Sequence, residues 1–313
     1  MASPILSLHH VTATVADAQE DLDFYVKLLG MRLVKKTVNF DNHNVFHFYY
    51  GNERGAPSTI MTTFPYKGWG VATGRKGAGQ ITTTSFSVPP GSLDFWRHRL
   101  TEVGVPVEDG ERFGAERITF QDPSGLVLEL VAGAGDERTP WVSADVDAGA
   151  AVRGLHSVTL RIRHPAPTLA FLTDVLGFEK VDETAGRTRL AMGGDRPGQV
   201  LDVEDAPDAP PAVNGLGTVH HVAFAVADQD VQLRIRAELV RMGVGVTEVR
   251  DRQYFKSIYF REPGGVLYEI ATVPPGFLID EEPDHLGEDL KLPPWEEPFR
   301  ETIQTRLPAV SLA

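Results

Sequence analysis

Four segments of this chain share one layout, and that repetition constrains the fold more than any other feature. Each reads as an alternating strand, a helix of about a dozen residues stopped by a Gly, and then three short strands. The first opens with LSLHHVTATV and runs into AQEDLDFYVKLLGM, where Leu22, Tyr25, Val26 and Leu29 recur at helical spacing before Gly30. The second opens with QITTTSFSV and GSLDFWRHRLTEVGV, the third with GLHSVTLRI and APTLAFLTDVLGF, the fourth with GTVHHVAFAV and DQDVQLRIRAELVRMGV. Three closing strands repeat as well: DPSGLVLELV, DRPGQVLDVE and EPGGVLYEIA. Each sets an acid, a Pro/Gly turn and a short apolar strand with a second acid seven positions after the first. The first unit closes less regularly, on GAPSTIMTTF.

The 313 residues suit two domains of ordinary size. The expected division is an N-terminal domain of modules one and two over 1–140, and a C-terminal domain of modules three and four over 150–272. AGAGDERTPWVSADVDAGAAV reads as the linker between them. The Pro- and acid-rich tail, 273–313, reads as an extended strap with one short helix. Thirty basic against 43 acidic residues give a net charge of −13, which argues against nucleic-acid and anionic-membrane partners. The absence of cysteine excludes disulfides, thiolate zinc sites, iron–sulfur clusters and a cysteine nucleophile, but not metals held by His and carboxylates. No apolar run approaches the roughly 18 residues of a membrane span. The N-terminal MASPILSLHH lacks the marks of a signal peptide, so a cytoplasmic location is expected.

Four βαβββ units, paired, make curved sheets whose concave faces can enclose a site. This α+β layout resembles the vicinal oxygen chelate superfamily, which includes glyoxalase I, the bleomycin-resistance proteins and the extradiol dioxygenases. The resemblance covers roughly residues 5–272 and implies two curved-sheet half-barrels. It leaves the reaction open, since one scaffold hosts several chemistries.

Aligning the four first strands on Val15, Val88, Ile162 and Val226 puts His10, Thr83, Ser157 and His221 in equivalent slots. Aligning the last strands on their acidic turns does the same for Glu129, Asp202 and Glu269, with Ile60 to Thr62 opposite them in the first unit. Side chains alternate along a strand, so each slot can face the hollow of its sheet. Pairing module one with two leaves His10 with Glu129 in one cup, and His221 with two carboxylates in the other. Pairing one with four gathers His10, His221 and Glu269, and leaves Thr83, Ser157, Glu129 and Asp202 without an imidazole. Two His and one carboxylate with open positions are the ligand set of non-haem Fe(II) oxygenases. A Glu inside the apolar strand VLYEI is costly unless it is paired or ligates a metal. Glu129 and Asp202 are expected to be satisfied or solvated acids in an inactive second cup. A ligand set drawn from the C-terminal half alone would use His156 instead. LHSVT aligns with LHHVT, however, so that His156 matches His9 and Ser157 takes the ligand slot.

SLHHVTATV, FYVKLLGMRLVKKTVNFD, HFYYGNERGAPSTIMTTFP and DRQYFKSIYFREPGGVLYEIAT are similar to the hydroquinone ring-cleaving dioxygenase branch of that superfamily. The resemblance implies metal ligation by His10, His221 and Glu269, with His9, Thr12, His220, Arg252 and Tyr259 around a bound aromatic ring. It also implies Fe(II), with Mn(II) as the alternative, and a small aromatic substrate with O2 as partners; a homo-oligomer is compatible with it. A base must take the phenol proton and an acid must return one. His suits both tasks, with His220 the first candidate and His9 the second. Arg252 can stabilise a distant substrate oxygen or developing charge, and Tyr259 can hydrogen-bond a substrate oxygen. The rivals on this scaffold are a glyoxalase-like isomerase, which needs a fourth protein ligand that module one does not offer, and a metal-free binding or resistance protein. GRKGAGQ lacks the context of a phosphate loop and reads as a flexible connection. His43 and His47 lie on module-one strands from which they can approach the metal cup, but they read first as surface or structural residues.

Overall fold

Each predicted unit folds as its pattern requires in the computed structural model, which describes residues 3–312. Module one comprises β1 (Ser7–Val15), helix α1 (Ala18–Leu22, continued by a π-turn over Asp23–Leu28), β2 (Arg32–Asn39), β3 (Asn42–Gly51) and β4 (Ile60–Pro65). Module two comprises β5 (Gln80–Val88), α2 (Leu93–Glu102), β6 (Glu108–Arg112), β7 (Ala115–Gln121) and β8 (Val127–Ala132). Module three comprises β9 (Gly154–Ile162), α3 (Pro165–Ala170, with a π-turn over Phe171–Val175), β10 (Glu179–Thr184), β11 (Arg187–Ala191) and β12 (Val200–Asp205). Module four comprises β13 (Thr218–Val226), α4 (Gln229–Arg241), β14 (Arg250–Asp251), β15 (Lys256–Arg261) and β16 (Leu267–Thr272).

The strands form two eight-stranded sheets, ordered β14-β15-β16-β13-β1-β4-β3-β2 and β10-β11-β12-β9-β5-β8-β7-β6. Module one therefore pairs with module four, through antiparallel β1 and β13, and module two with module three, through β5 and β9. Each half of the chain contributes one module to each sheet. The helices bury one apolar face against the sheets: Leu22, Tyr25, Trp96, Leu100, Leu172 and Leu239 are all within the core.

Two connections differ from expectation. The glycine-rich run is not a loose tether. It bridges the strand-like segment 211–216 at Thr73–Leu216, Arg75–Val213 and Ala78–Pro211. A Cβ on Gly77 would stand 2.3 Å from the Pro210 carbonyl oxygen, so the glycines permit close backbone approach. The linker between modules two and three has no regular elements, yet Val146, Ala150, Ala151 and Val152 are buried and Trp96 Nε1 donates to the Ala150 carbonyl at 2.9 Å. The tail carries the expected helix, α5 (Arg300–Arg306), and runs beside β2 through a Lys36–Leu290 bridge.

Asp21 on α1 is an acid buried among these elements, accepting hydrogen bonds from Tyr50 Oη at 2.6 Å and from Thr63 Oγ1. Burial pushes its carboxyl up to about 8. The folded state thus keeps a proton that the unfolded chain releases near pH 4, so stability is expected to fall as pH rises between about 4 and 8. The slope from this group approaches about 1.4 kcal/mol per pH unit. Urea unfolding at pH 5 and pH 8 should show that loss in the natural protein and a smaller one in Asp21→Asn. Equal losses would assign the pH dependence to other groups.

Candidate metal centre

Neighbouring strands set one row of residues across the first sheet: Ile60, His10, Ala223, Glu269 and Tyr259 pair in succession on β4, β1, β13, β16 and β15. Paired residues share a face, and His221 joins them two positions before Ala223 on β13. The small Ala223 between His10 and Glu269 leaves room for the longer side chains to converge. They do so closely. His10 Nε2 and His221 Nε2 are 3.3 Å apart, and Glu269 Oε2 lies 3.3 Å from the first and 2.8 Å from the second. Among the described residues, this is the one group of three or more His, Cys, Asp or Glu whose ligand atoms converge in this way.

Their surroundings suit a metal. Glu269 Oε2 is buried and, despite those short approaches, has no hydrogen bond in proper geometry. Such an orphaned acceptor is costly unless something else meets it. Metal–donor bonds of about 2.1 Å place neighbouring donors about 3 Å apart, which matches the triangle observed. The other oxygen, Oε1, accepts from Ser257 Oγ and fixes the carboxylate's orientation. Burial pushes Glu269 up, but the imidazoles of His10 and His221 hold it well below the usual carboxylate range. Burial lowers His221. An ionised Glu and a neutral His are the forms a metal takes.

The tandem histidines depend on an irregularity that alternation does not anticipate. The register between β1 and β13 slips by one residue at His9 and again at His220. A β-bulge re-aims the extra side chain. Consequently His9 Nδ1 stands 2.8 Å from His10 Nδ1, and His220 Nδ1 stands 2.8 Å from His221 Nδ1. The second sheet repeats the slip at Thr82 and His156. For His10 and His221 to present unprotonated Nε2 atoms, each Nδ1 must carry the proton and donate to the preceding His. His9 then bears its own proton on Nε2, where the Thr272 backbone is its partner, and His220 bears its proton on Nε2 as well. Both supporting histidines are pushed down to about 3 by burial, so both are neutral at pH 7.

A cavity of about 320 Å³ opens over the triad. Thr12, His220, Arg252 and Tyr259 line it. Burial pulls Arg252 down, but Tyr259, Asp41 and Glu269 outweigh it and the net shift is upward. Its Nε donates to Tyr259 Oη at 3.0 Å and its Nη2 to Asp41 Oδ2 at 2.9 Å. His9 does not reach this cavity; its ring stands behind His10, packed on Phe255. His47 is the opposite case. It lines the cavity against Tyr49 and Phe64, 2.9 Å from Thr62 Oγ1, which donates to Thr12 Oγ1. His43 instead meets Glu296 of the tail at 3.0 Å. Asp41, Phe255 and Ser257 were not singled out by sequence reasoning, because they occupy no repeated slot.

In the second cup, guanidinium groups surround the equivalent acids. Glu129 is paired with Arg112 at 2.7 Å and Arg117 at 3.3 Å, and Asp202 with Arg189 at 2.7 Å. His156 is buried beside Ser157 Oγ at 3.1 Å in this sheet, away from the triad. Arg112 precedes Thr119, opposite Glu129, by the interval at which Arg252 precedes Tyr259, opposite Glu269. The same module position therefore binds the acid directly in one cup and a Tyr hydroxyl in the other.

Residues 7–130 and 154–270 match the sequence profile of the Glyoxalase/Bleomycin resistance protein/Dioxygenase superfamily. The chain is 42% identical over 307 residues to MhqO of Bacillus subtilis, named as a ring-cleaving dioxygenase, covering 98% of this chain and 97% of that protein. It is 39% identical over 305 residues to the chlorohydroquinone/hydroquinone 1,2-dioxygenase of Sphingobium indicum, covering 95% and 94%. The crystal structure of a Bacillus subtilis protein named as a dioxygenase superposes with a TM-score of 0.95 at 41% identity, covering 100% and 99%. Glyoxalase I from Zea mays, at 16% identity and a TM-score of 0.63 over 85% and 92% of the chains, shares the fold alone. No helix among the described residues is long and apolar enough to cross a membrane. Repeated modules, converging ligand atoms and these likenesses agree: the chain belongs to the glyoxalase/bleomycin resistance protein/dioxygenase superfamily.

Proposed function

We propose that this chain is an Fe(II)-dependent dioxygenase, with Mn(II) as the alternative metal, that opens the ring of substituted hydroquinones to give acids. The observation that carries the reading is the buried triad of His10, His221 and Glu269, with its unbonded carboxylate oxygen, at the floor of a cavity faced by Arg252 and Tyr259. The relatives' names support the same chemistry. When bound, Fe(II) supplies the redox link that lets triplet dioxygen react with a closed-shell phenol. The isomerase alternative lacks its fourth ligand, because Thr62, paired with Thr12, fills the module-one position that Glu269, paired with Ala223, holds in module four. The reading includes a cytoplasmic setting and no macromolecular substrate.

The chain's own residues divide the remaining work. The cavity is at the small end of ligand sites, the size for one substituted ring, and Tyr49, Phe64 and Phe255 supply aromatic walls. His220, with Nδ1 engaged by His221, carries its proton on Nε2 and is suited to donate rather than to accept. In a p-hydroquinone the second hydroxyl lies across the ring, beyond reach of the same metal, and needs a protein partner. Arg252 and Tyr259 stand ready for it, already joined to each other. A catechol forgoes that contact and with it the roughly 0.5–1.5 kcal/mol that one hydrogen bond contributes. Oxygen uptake should accordingly show a higher kcat/KM for methyl- or chloro-hydroquinone than for the matching catechol, and Arg252→Ala should narrow the gap. Uptake with catechols alone would refute the hydroquinone assignment.

A further inference from the structure

We propose that the C-terminal strap positions the cavity arginine: Lys35 anchors Asp280 and Glu281, and Asp280 holds Tyr254 on the loop that carries Arg252 and Phe255. Lys35 projects from β2, near the edge of the first sheet, yet its side chain is 0% exposed. A buried ammonium is tolerated only when it is paired. Both of its carboxylate partners come from the strap: Asp280 Oδ1 at 2.6 Å, and Glu281 Oε2. Asp280 then uses its other oxygen, Oδ2, to accept from Tyr254 Oη at 3.0 Å. The Lys35 ammonium also lies 5.0 Å over the Tyr254 ring. Earlier in the strap, Gly276 N donates to the Tyr254 carbonyl at 2.9 Å, and Phe277 packs on both Tyr254 and the cavity residue Tyr49. Tyr254 is thus held by its hydroxyl, its ring and its backbone.

The inner side of the same loop faces the cavity. Arg252 N donates to the Phe255 carbonyl at 2.9 Å, and Tyr254 N to the Arg252 carbonyl at 2.7 Å, which makes a tight reversal. Gln253 within it has φ 65, a left-handed conformation that a side-chain-bearing residue keeps only when its surroundings over-determine it. The strap provides that determination from outside, and the Arg252 bonds to Tyr259 and Asp41 provide it from inside. Lys35 and Tyr254 are positioning residues on this account; neither lines the substrate cavity. The kinetic part of the proposal rests on the function proposed above, and the structural part does not.

The test compares the natural full-length chain, loaded with Fe(II), with Tyr254→Phe, Lys35→Met and Lys35→Arg. Amide exchange at residues 252–255 should be about fivefold faster in Tyr254→Phe, which loses one hydrogen bond. It should be at least tenfold faster in Lys35→Met, with partial recovery in Lys35→Arg. KM for methylhydroquinone should rise by similar factors, with kcat within about twofold and metal content unchanged. Natural exchange rates and KM in Tyr254→Phe would overturn the proposal, and that variant decides alone if Lys35→Met fails to fold. Faster exchange across β13 as well would mark a general loss of stability and would also overturn it. If the natural protein consumes no oxygen with hydroquinones, the functional reading fails while the exchange data still decide the role of the strap.

Discussion

Alanine in place of His10, His221 or Glu269 is expected to remove most bound metal and all ring cleavage. The three ligand atoms come from three strands and converge only because β1, β13 and β16 are neighbours in one sheet. Removing either imidazole leaves two donors, and removing Glu269 also takes away the charge that offsets a divalent cation. Loss of an outer-sphere partner already costs about 10–100-fold in metal affinity, so loss of a ligand should exceed that. The folded scaffold should survive, because deleting the carboxylate also deletes a buried acceptor without a hydrogen bond. Metal analysis and oxygen uptake on folded variants check this. Full turnover in Glu269→Ala would rule out the triad as the reacting centre.

His220→Ala is expected to keep its metal and lose ring cleavage by roughly 10²–10⁴-fold, the range for a lost general acid or base. The side chain lines the cavity, and its Nδ1 is taken by His221, so Nε2 is the atom left to serve a substrate. Its lowered basicity keeps it neutral, and a His221 that offers its Nε2 to a metal leaves the His220 proton on that atom. Metal affinity should fall by about 10–100-fold as His221 forfeits its Nδ1 partner, so the rate is compared at saturating Fe(II). His9→Ala gives the contrast. His9 supports His10 from behind, outside the cavity, and so should affect metal binding more than chemistry. An unchanged rate in His220→Ala would reduce it to the same supporting role.

The triad was legible because the chain repeats itself. Aligning four copies of one module picks out His10, His221 and Glu269 as equivalent slots, and only the pairing of module one with four unites them. The observed strand order is that pairing. The carboxylates of the second cup were likewise readable as satisfied, though their arginine partners were not named. The bulges were not legible. Strict alternation sends adjacent side chains to opposite faces, whereas the slips at His9 and His220 bring each pair of rings within about 5 Å. His47 was legible only as a strand residue able to approach the cup, and Asp41 was not legible. They reach the cavity from the hairpin of β2 and β3, outside the two slots that the module alignment picks out. The Lys35 clasp joins residues 245 positions apart, and nothing local in RLVKKTVN distinguishes the buried lysine from its half-buried neighbour Lys36.

The most direct measurement is the metal content of His10→Ala beside His156→Ala, after anaerobic loading with Fe(II) and removal of excess. A site between the first and last modules predicts about one iron per chain in the natural protein and in His156→Ala, and little or none in His10→Ala. Iron retained in His10→Ala and lost from His156→Ala would contradict it.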